Sequence, residues 1–285
     1  MKIAMLTNNY RPFVGGVPIS VERQAQELVK LGHDVTVFAP MYGKDEAEKA
    51  EVKAADERAP ERVVRYRTWK KKMDNGMVYP VVYPYEITDV FQRETFDCIH
   101  VHHPVFVGPV ALMLGRKYHI PVIYTYHTRY EDYLHYIPCF RTDEHSGALK
   151  RKLVDKIGGS VIPSYMKWFG NQCDMVLAPS AGMQQVIREY GVTGPSAVFP
   201  TGFAEEFYKR NVKRSMQIRQ EYGKGKKHLL VTVSRLEKEK NYRFLLRGIA
   251  ELRHQTGDDF HVMVIGDGSR KAQLKAGAAV LGIQD

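Results

Sequence analysis

The sequence predicts an α/β chain of two doubly wound, Rossmann-like units with parallel sheets, the second incomplete. Short apolar runs alternate with amphipathic stretches along most of the chain, which calls for right-handed crossovers between parallel strands. The alternation pauses over residues 204–227, a charged, mostly helical stretch that reads as an interdomain connection, and then resumes. A length of 285 residues suits two domains of ordinary size better than one. The boundary is predicted at 200/201, giving an N-terminal domain over 1–200 and a linker with a partial second domain over 201–285.

The elements follow in order. "KIAMLTN" is a buried-strand run, and "NYRPFVGGVP" after it a Gly-rich loop. A helix begins near Pro18, a favourable first-turn residue, with Val21, Ala25, Leu28 and Val29 on one face. Gly32 ends it, and "DVTVFAP" is the next strand. "DCIHVHHP", "PVIYTYH", "DMVLAPS" and "SAVFPTG" repeat the pattern. In the helix between the last two, Met183, Val186, Ile187 and Tyr190 fall at i, i+3, i+4 and i+7. The second alternation runs "HLLVTVS", a helix from Asn241 to about Arg253, "FHVMVIGDG" and the helix "SRKAQLKAGAAVLG". Two strand-helix pairs are few for a parallel sheet, which needs helices over both faces. The chain is therefore expected to stop mid-domain.

Apolar residues at 44% and charged residues at 26% are those of a globular protein. "PVFVGPVALMLG" falls short of the ~20 apolar residues that span a bilayer. "MKIAMLTNNYRP" turns polar too early for a secretory signal. Cys98, Cys139 and Cys173 are scattered and odd in number, so a reduced, cytoplasmic protein is expected. The net charge of +10 favours anionic company: nucleotide phosphates, acidic lipid or nucleic acid. No zinc-finger spacing or aromatic RNA-binding signature supports the last of these.

In doubly wound sheets ligands bind beyond the carboxyl ends of strands. Gly15 and Gly16 join the first strand to the first helix, where bare amides approach an anion; a plain tight turn is the alternative. Arg235 and Lys240 in "VSRLEKEKN" follow a strand and precede a helix, placed to clamp a diphosphate by fork and point charge. A solvated charged loop is the other reading, since Glu237, Lys238 and Glu239 share it. Gly266 in "VIGDG" suits close approach to a nucleotide, or a simple strand-to-helix turn. His127 ends the strand of "VIYTYHTRYEDYLHYIP", as a ligand contact or a hydrogen-bonded strand end. Beyond it Tyr130, Tyr133, Leu134 and Ile137 pack one helical face inward, with Glu131, Asp132 and His135 pointing elsewhere. His100, His102 and His103 invite a metal reading, but strand alternation sends His103 to the opposite face and no acidic ligand completes a set.

Two segments suit an anionic membrane surface. "RVVRYRTWKKK" holds six cations and no acid, among them Arg65, Arg67, Lys70, Lys71 and Lys72 beside Trp69. "LKRKLVDKIGG" with "YMKWF" forms an imperfect amphipathic helix over 149–169. A solvated charged face is the plainer reading of either.

Taken in order, "GGVP", "HTRYEDY", "WFGNQCDMVLAPS", "VFPTGF", "SRLEKEKN" and "VIGDG" resemble glycosyltransferase family 4, retaining enzymes of the GT-B fold, in which two Rossmann-like domains face a cleft. Within the family, "YTYHTRYEDYLHYIP" looks most like the bacterial diacylglycerol glucosyltransferases. The resemblance implies a hexose, glucose, moved from a UDP-sugar to a lipid acceptor by a protein peripheral to the inner face of the membrane. It implies Arg235 and Lys240 on the donor diphosphate, Gly16 approaching that phosphate, Gly266 beside the nucleotide and His127 as the catalytic residue near the donor sugar and the acceptor hydroxyl. No metal cofactor and no protein nucleophile are implied, and the oligomeric state is left open. The family's two later glutamates have no counterpart, since Glu251 is the last glutamate in the chain. Two alternatives stand beside this reading: transfer to a soluble acceptor, and a catalytically silent sugar-nucleotide or lipid-surface binder.

Overall fold

The computed structural model describes residues 1–72, 76–136, 140–142, 146–203 and 205–284. It divides into two compact units, Met1–Ala204 and Glu205–Asp285.

The first unit runs β1 (Lys2–Leu6), α1 (Gly16–Lys30), β2 (Asp34–Pro40), α2 (Glu46–Glu57) and β3 (Arg62–Tyr66). An antiparallel hairpin of β4 (Thr68–Lys72) and β5 (Val78–Pro80) follows, then α3 (Tyr85–Arg93), β6 (Cys98–Val101), α4 (Val107–Tyr118) and β7 (Val122–Thr125). A 3-10 helix (Tyr130–Tyr136) leads to α5 (Ala148–Lys156), a π turn (Ile157–Val161) and α6 (Ile162–Gly170). β8 (Met175–Ala178), α7 (Ala181–Glu189) and β9 (Ser196–Val198) complete the unit.

Its parallel sheet has the order β3-β2-β1-β6-β7-β8-β9. Strand alternation fills both faces. Ile3 and Met5 pack with Val35, Val37, Val21 and Ala25 on the α1 side. Ala4 and Leu6 face the larger core with Phe38, Ile99, Leu114 and Phe169. The apolar "PVFVGPVALMLG" becomes α4, buried along much of its length. A Cβ on Gly115 would lie 2.4 Å from Val122, so glycine is what lets this helix approach β7. The strand order reverses between β1 and β6, and a ligand crevice is expected over the carboxyl ends of those two strands.

Three expectations are corrected. The first helix starts at Gly16, not near Pro18. β3 is a seventh strand of the main sheet where the sequence predicts a basic surface segment; as an edge strand with three arginines nearby it hides the usual alternation. The segment after His127 is a 3-10 helix, and Glu131 in it does not point away into solvent. Ile137 and Cys139 lie outside the described residues.

The second unit holds a 3-10 turn (Glu205–Tyr208), α8 (Val212–Tyr222), β10 (His228–Val233), a 3-10 turn (Lys238–Lys240), α9 (Tyr242–Thr256), β11 (Phe260–Ile265) and α10 (Lys271–Val280). β10 and β11 pair in parallel from His228↔Phe260 to Val233↔Ile265. Asn211 caps α8 by accepting from the Arg214 amide.

Candidate functional site

The loop from β1 into α1 is held by buried charges. Arg11 pairs with Glu22 at 2.8 Å, Glu61 at 2.6 Å and Asp56 at 3.3 Å. Arg65 binds both oxygens of Asp56, at 2.7 and 2.8 Å, and donates to the carbonyls of Pro40 and Arg11. Tyr10 donates to Glu61 at 2.8 Å. Two forked guanidiniums among three carboxylates compensate one another at short range, which is the condition for burying such charges. Arg65, expected on a membrane-facing segment, is thus a correction: its side chain is 5% exposed and cannot meet a surface.

This loop delivers Gly15 and Gly16 to the start of α1. Gly15 is the N-cap in extended backbone, with no side-chain cap and no acidic residue in the first turn. The first amides are left to water or an anion, at the positive end of a fifteen-residue helix. A Cβ on Gly16 would meet nothing within 4 Å, so the space above it is open. On the same helix Arg23 donates to the Gly202 carbonyl at 2.8 Å and Ser20 lies 3.3 Å from the Thr201 hydroxyl, which seats the "VFPTGF" segment against α1.

Across the reversal point, the end of β6 presents a histidine cluster. His100 Nε2 lies 2.7 Å from the Thr125 hydroxyl, and the His100 and His102 rings are 4.1 Å apart. His102 Nδ1 lies 2.9 Å from His127 Nε2. His103 turns the other way, where its Nδ1 accepts from the Asn8 amide at 3.1 Å. Strand alternation accounts for this division, as the sequence implies. Burial pushes His100 and His103 down to about 3 and His127 down to about 4. His102 falls well below the usual range, mainly through burial, with the neighbouring rings adding to it. All four rings are therefore neutral at pH 7. Each has at least one nitrogen engaged by the protein.

Glu131 was missed by sequence reasoning. It accepts from Tyr190, the C-cap residue of α7, and pairs with Arg129 at 3.0 Å, tying the segment after His127 to a helix end 59 residues further on. The i+4 spacing from His127 was the only local signal.

In the second unit Arg235 and Lys240 flank a tight loop. Arg235 Nη2 lies 3.0 Å from Glu239, whose side chain is 8% exposed, so the guanidinium is held in place and not free to wander. Lys240 is exposed on the 3-10 turn that precedes α9. Asn241 in the left-handed region begins α9, and the Ser234 hydroxyl meets Tyr242 at 2.9 Å. Glu237 is not a solvated charge: it accepts from the Ser269 amide at 3.0 Å and the Ser269 hydroxyl at 2.6 Å. Gly266 has φ +157° and a Cβ there would lie 1.9 Å from the Ser234 carbonyl oxygen. Backbone bonds from Ser234 to Ile265 and from Leu236 to Asp267 complete the seam. The glycine turn and the Arg235 loop are one braced piece.

The basic segment divides three ways. Arg65 is buried; Arg67 pairs with Glu86 at 2.9 Å and lies over the Tyr85 ring; Trp69 is exposed on β4. The side chains of Lys70, Lys71 and Lys72 lie outside the described residues. The 149–169 segment is α5, the π turn and α6, with Met166 and Phe169 buried at one end while Leu149 and Leu153 at the other are 84% and 54% exposed.

A sequence model for Glycosyltransferase Family 4 matches residues 14–207. The chain belongs to glycosyltransferase family 4. A second model, for glycosyl transferases group 1, matches residues 215–285. The alpha-monoglucosyldiacylglycerol synthase of Streptococcus pneumoniae is 29% identical over 300 residues, covering 100% of this chain and 60% of that protein. A GDP-mannose-dependent alpha-mannosyltransferase of Corynebacterium glutamicum is 25% identical over 277 residues, covering 96% of this chain and 59% of that one. The chain thus spans about three-fifths of the length of these family-4 relatives. Among solved structures, Anabaena HepE in complex with UDP and glucose matches with a TM-score of 0.63 at 17% identity, covering 100% of this chain and 67% of that one. The fold of this family-4 chain is of the GT-B type. No helix among the described residues is long and apolar enough to cross a membrane.

Proposed function

We propose that this chain is the donor- and acceptor-binding part of a retaining glucosyltransferase that moves glucose from UDP-glucose to diacylglycerol at an anionic membrane surface. The observation that carries the reading is the match to a monoglucosyldiacylglycerol synthase over 100% of the chain. Breaking the sugar-phosphate bond leaves charge on the diphosphate, and preorganised cations and amides lower that barrier most. Arg235 and Lys240 supply the cations, and the uncapped start of α1 at Gly15 and Gly16 supplies the amides. His127 faces the donor sugar and Gly266 the nucleotide. The attacking hydroxyl enters on the leaving-group face, assisted by a phosphate oxygen, without a metal or a protein nucleophile. Leu149 and Leu153, among Lys150, Arg151, Lys152 and Lys156, dock the lipid surface together with Trp69 and the strand that carries Lys70, Lys71 and Lys72. A second reading, mannose from a GDP donor, is favoured by the mannosyltransferase relative.

Incubation with diacylglycerol vesicles and radiolabelled UDP-glucose, with GDP-mannose in parallel, tests both. A monoglucosyl lipid from UDP-glucose is expected. Label from GDP-mannose alone selects the second reading, and an unlabelled lipid fraction in both arms rejects lipid glycosylation. In calorimetry, Arg235→Ala and Lys240→Ala should each weaken UDP binding by roughly ten- to a hundredfold, the loss of a charge-assisted contact.

A further inference from the structure

The pair His102–His127 has an internal asymmetry. His102 is 1% exposed, and its backbone N–H donates a hydrogen bond to the Leu6 carbonyl at 2.9 Å. Its Nδ1 faces His127 Nε2 at 2.9 Å, while its own Nε2 is buried with no hydrogen-bond partner among the described residues. His127 is half-buried, and its Nδ1 has no protein partner among the described residues. Both rings are neutral at pH 7, so each carries one proton and the two nitrogens 2.9 Å apart share one of them.

Two arrangements satisfy that bond. In one, His127 Nε2–H donates to His102 Nδ1. The proton of His102 then sits on Nε2, a buried N–H with nothing to accept it. In the other, His102 Nδ1–H donates to His127 Nε2. The sealed Nε2 is then a bare lone pair, and His127 carries its proton on Nδ1. Buried donors without an acceptor are the rarer and costlier defect; under-used acceptors are better tolerated.

We propose that His102 is a positioning residue whose Nδ1–H donates to His127 Nε2 and fixes His127 as the Nδ1–H tautomer. The ring then offers a bound sugar oxygen a hydrogen-bond donor. It offers no lone pair there, so His127 orients the sugar and is not a general base through that nitrogen. This deepens the proposed function and rests on His127 facing the donor sugar. The signal was present in the sequence as an HxH at a strand end, but the tautomer follows only from which nitrogen is sealed.

The test is nitrogen NMR on the chain labelled with 15N-histidine, recorded above pH 7, where two- and three-bond couplings distinguish the tautomers. His127 is assigned by the resonance lost in His127→Asn. The wild type should show His127 protonated on Nδ1. His102→Asn, whose Nδ2 takes the place of an imidazole Nδ1, should keep that pattern. His102→Phe, with no donor, should shift His127 towards the Nε2–H form. A wild-type His127 protonated on Nε2, or a tautomer unchanged in His102→Phe, overturns the proposal. If His102→Phe fails to fold by circular dichroism, the wild-type and Asn spectra decide. Failure of the chain to bind UDP-glucose in calorimetry counts against the functional reading and leaves the tautomer result standing.

Discussion

Arg65 and Arg67 are two residues apart and read alike in the sequence, yet their surroundings assign them opposite roles. Arg65 is enclosed by Asp56, Arg11 and Pro40, whereas Arg67 holds an exposed pair with Glu86. Removing Arg65 leaves the buried Asp56 only its longer 3.3 Å contact with Arg11, so Arg65→Ala should cost about 3 kcal/mol, the low end for a broken buried pair. Arg67→Ala should cost no more than about 1 kcal/mol. Both tryptophans, Trp69 and Trp168, belong to the first unit, so the fluorescence midpoint in urea at constant slope reads this difference there. Gly266→Ala meets the Ser234 carbonyl and should destabilise the second unit by at least about 1–3 kcal/mol, seen as faster hydrogen exchange in β10 and β11. Glycine at this position was legible as a turn; its collision partner, 32 residues earlier, was not. Arg65 was misread for the same reason, because its compensating partners come from α2 and the β1 loop.

The end of β6 is where an element becomes chemically specialised. Val101 closes the strand, and the three histidines around it are fixed by Thr125, His127 and the Asn8 amide. Their folded-state pKa values are lowered, so the unfolded chain binds protons first. Stability from this cluster is present above about pH 6.5, the ordinary histidine value. It is lost as pH falls towards the folded values, about 3 for His100 and His103 and about 4 for their neighbour His127. Each buried ring steepens that loss by about 1.4 kcal/mol per pH unit. Urea midpoints by tryptophan fluorescence between pH 7.5 and 5 should fall accordingly, and His103→Asn should flatten the profile by the share of one ring. An unchanged slope would show that His103 is charged in the folded state. Alternation let the sequence sort His103 from His100 and His102. The pairing with His127 needed the β6–β7 register, which brings residues 25 apart in the chain side by side.

At the scale of the whole molecule, the order of strands and helices was legible because each element carries its own periodicity. The exceptions were β3, where arginines mask an edge strand, and the β4–β5 hairpin that follows it. Membrane docking is a property of surfaces that no single element defines. The double variant Leu149→Glu/Leu153→Glu should cease to float with anionic liposomes while its circular dichroism and its calorimetric UDP affinity stay unchanged. A variant that still floats would move the contact to the hairpin that carries Trp69. Between the seated α6 and the exposed α5 lies the π turn of Ile157–Val161, with Gly158 and Gly159 inside it. One surplus residue in a helix turns everything upstream by about 100° relative to everything downstream. Deleting either glycine would straighten the phase and swing the Leu149–Leu153 ridge more than a quarter turn around the rod. The direction in which this arm points is thus written in a single residue of helical count.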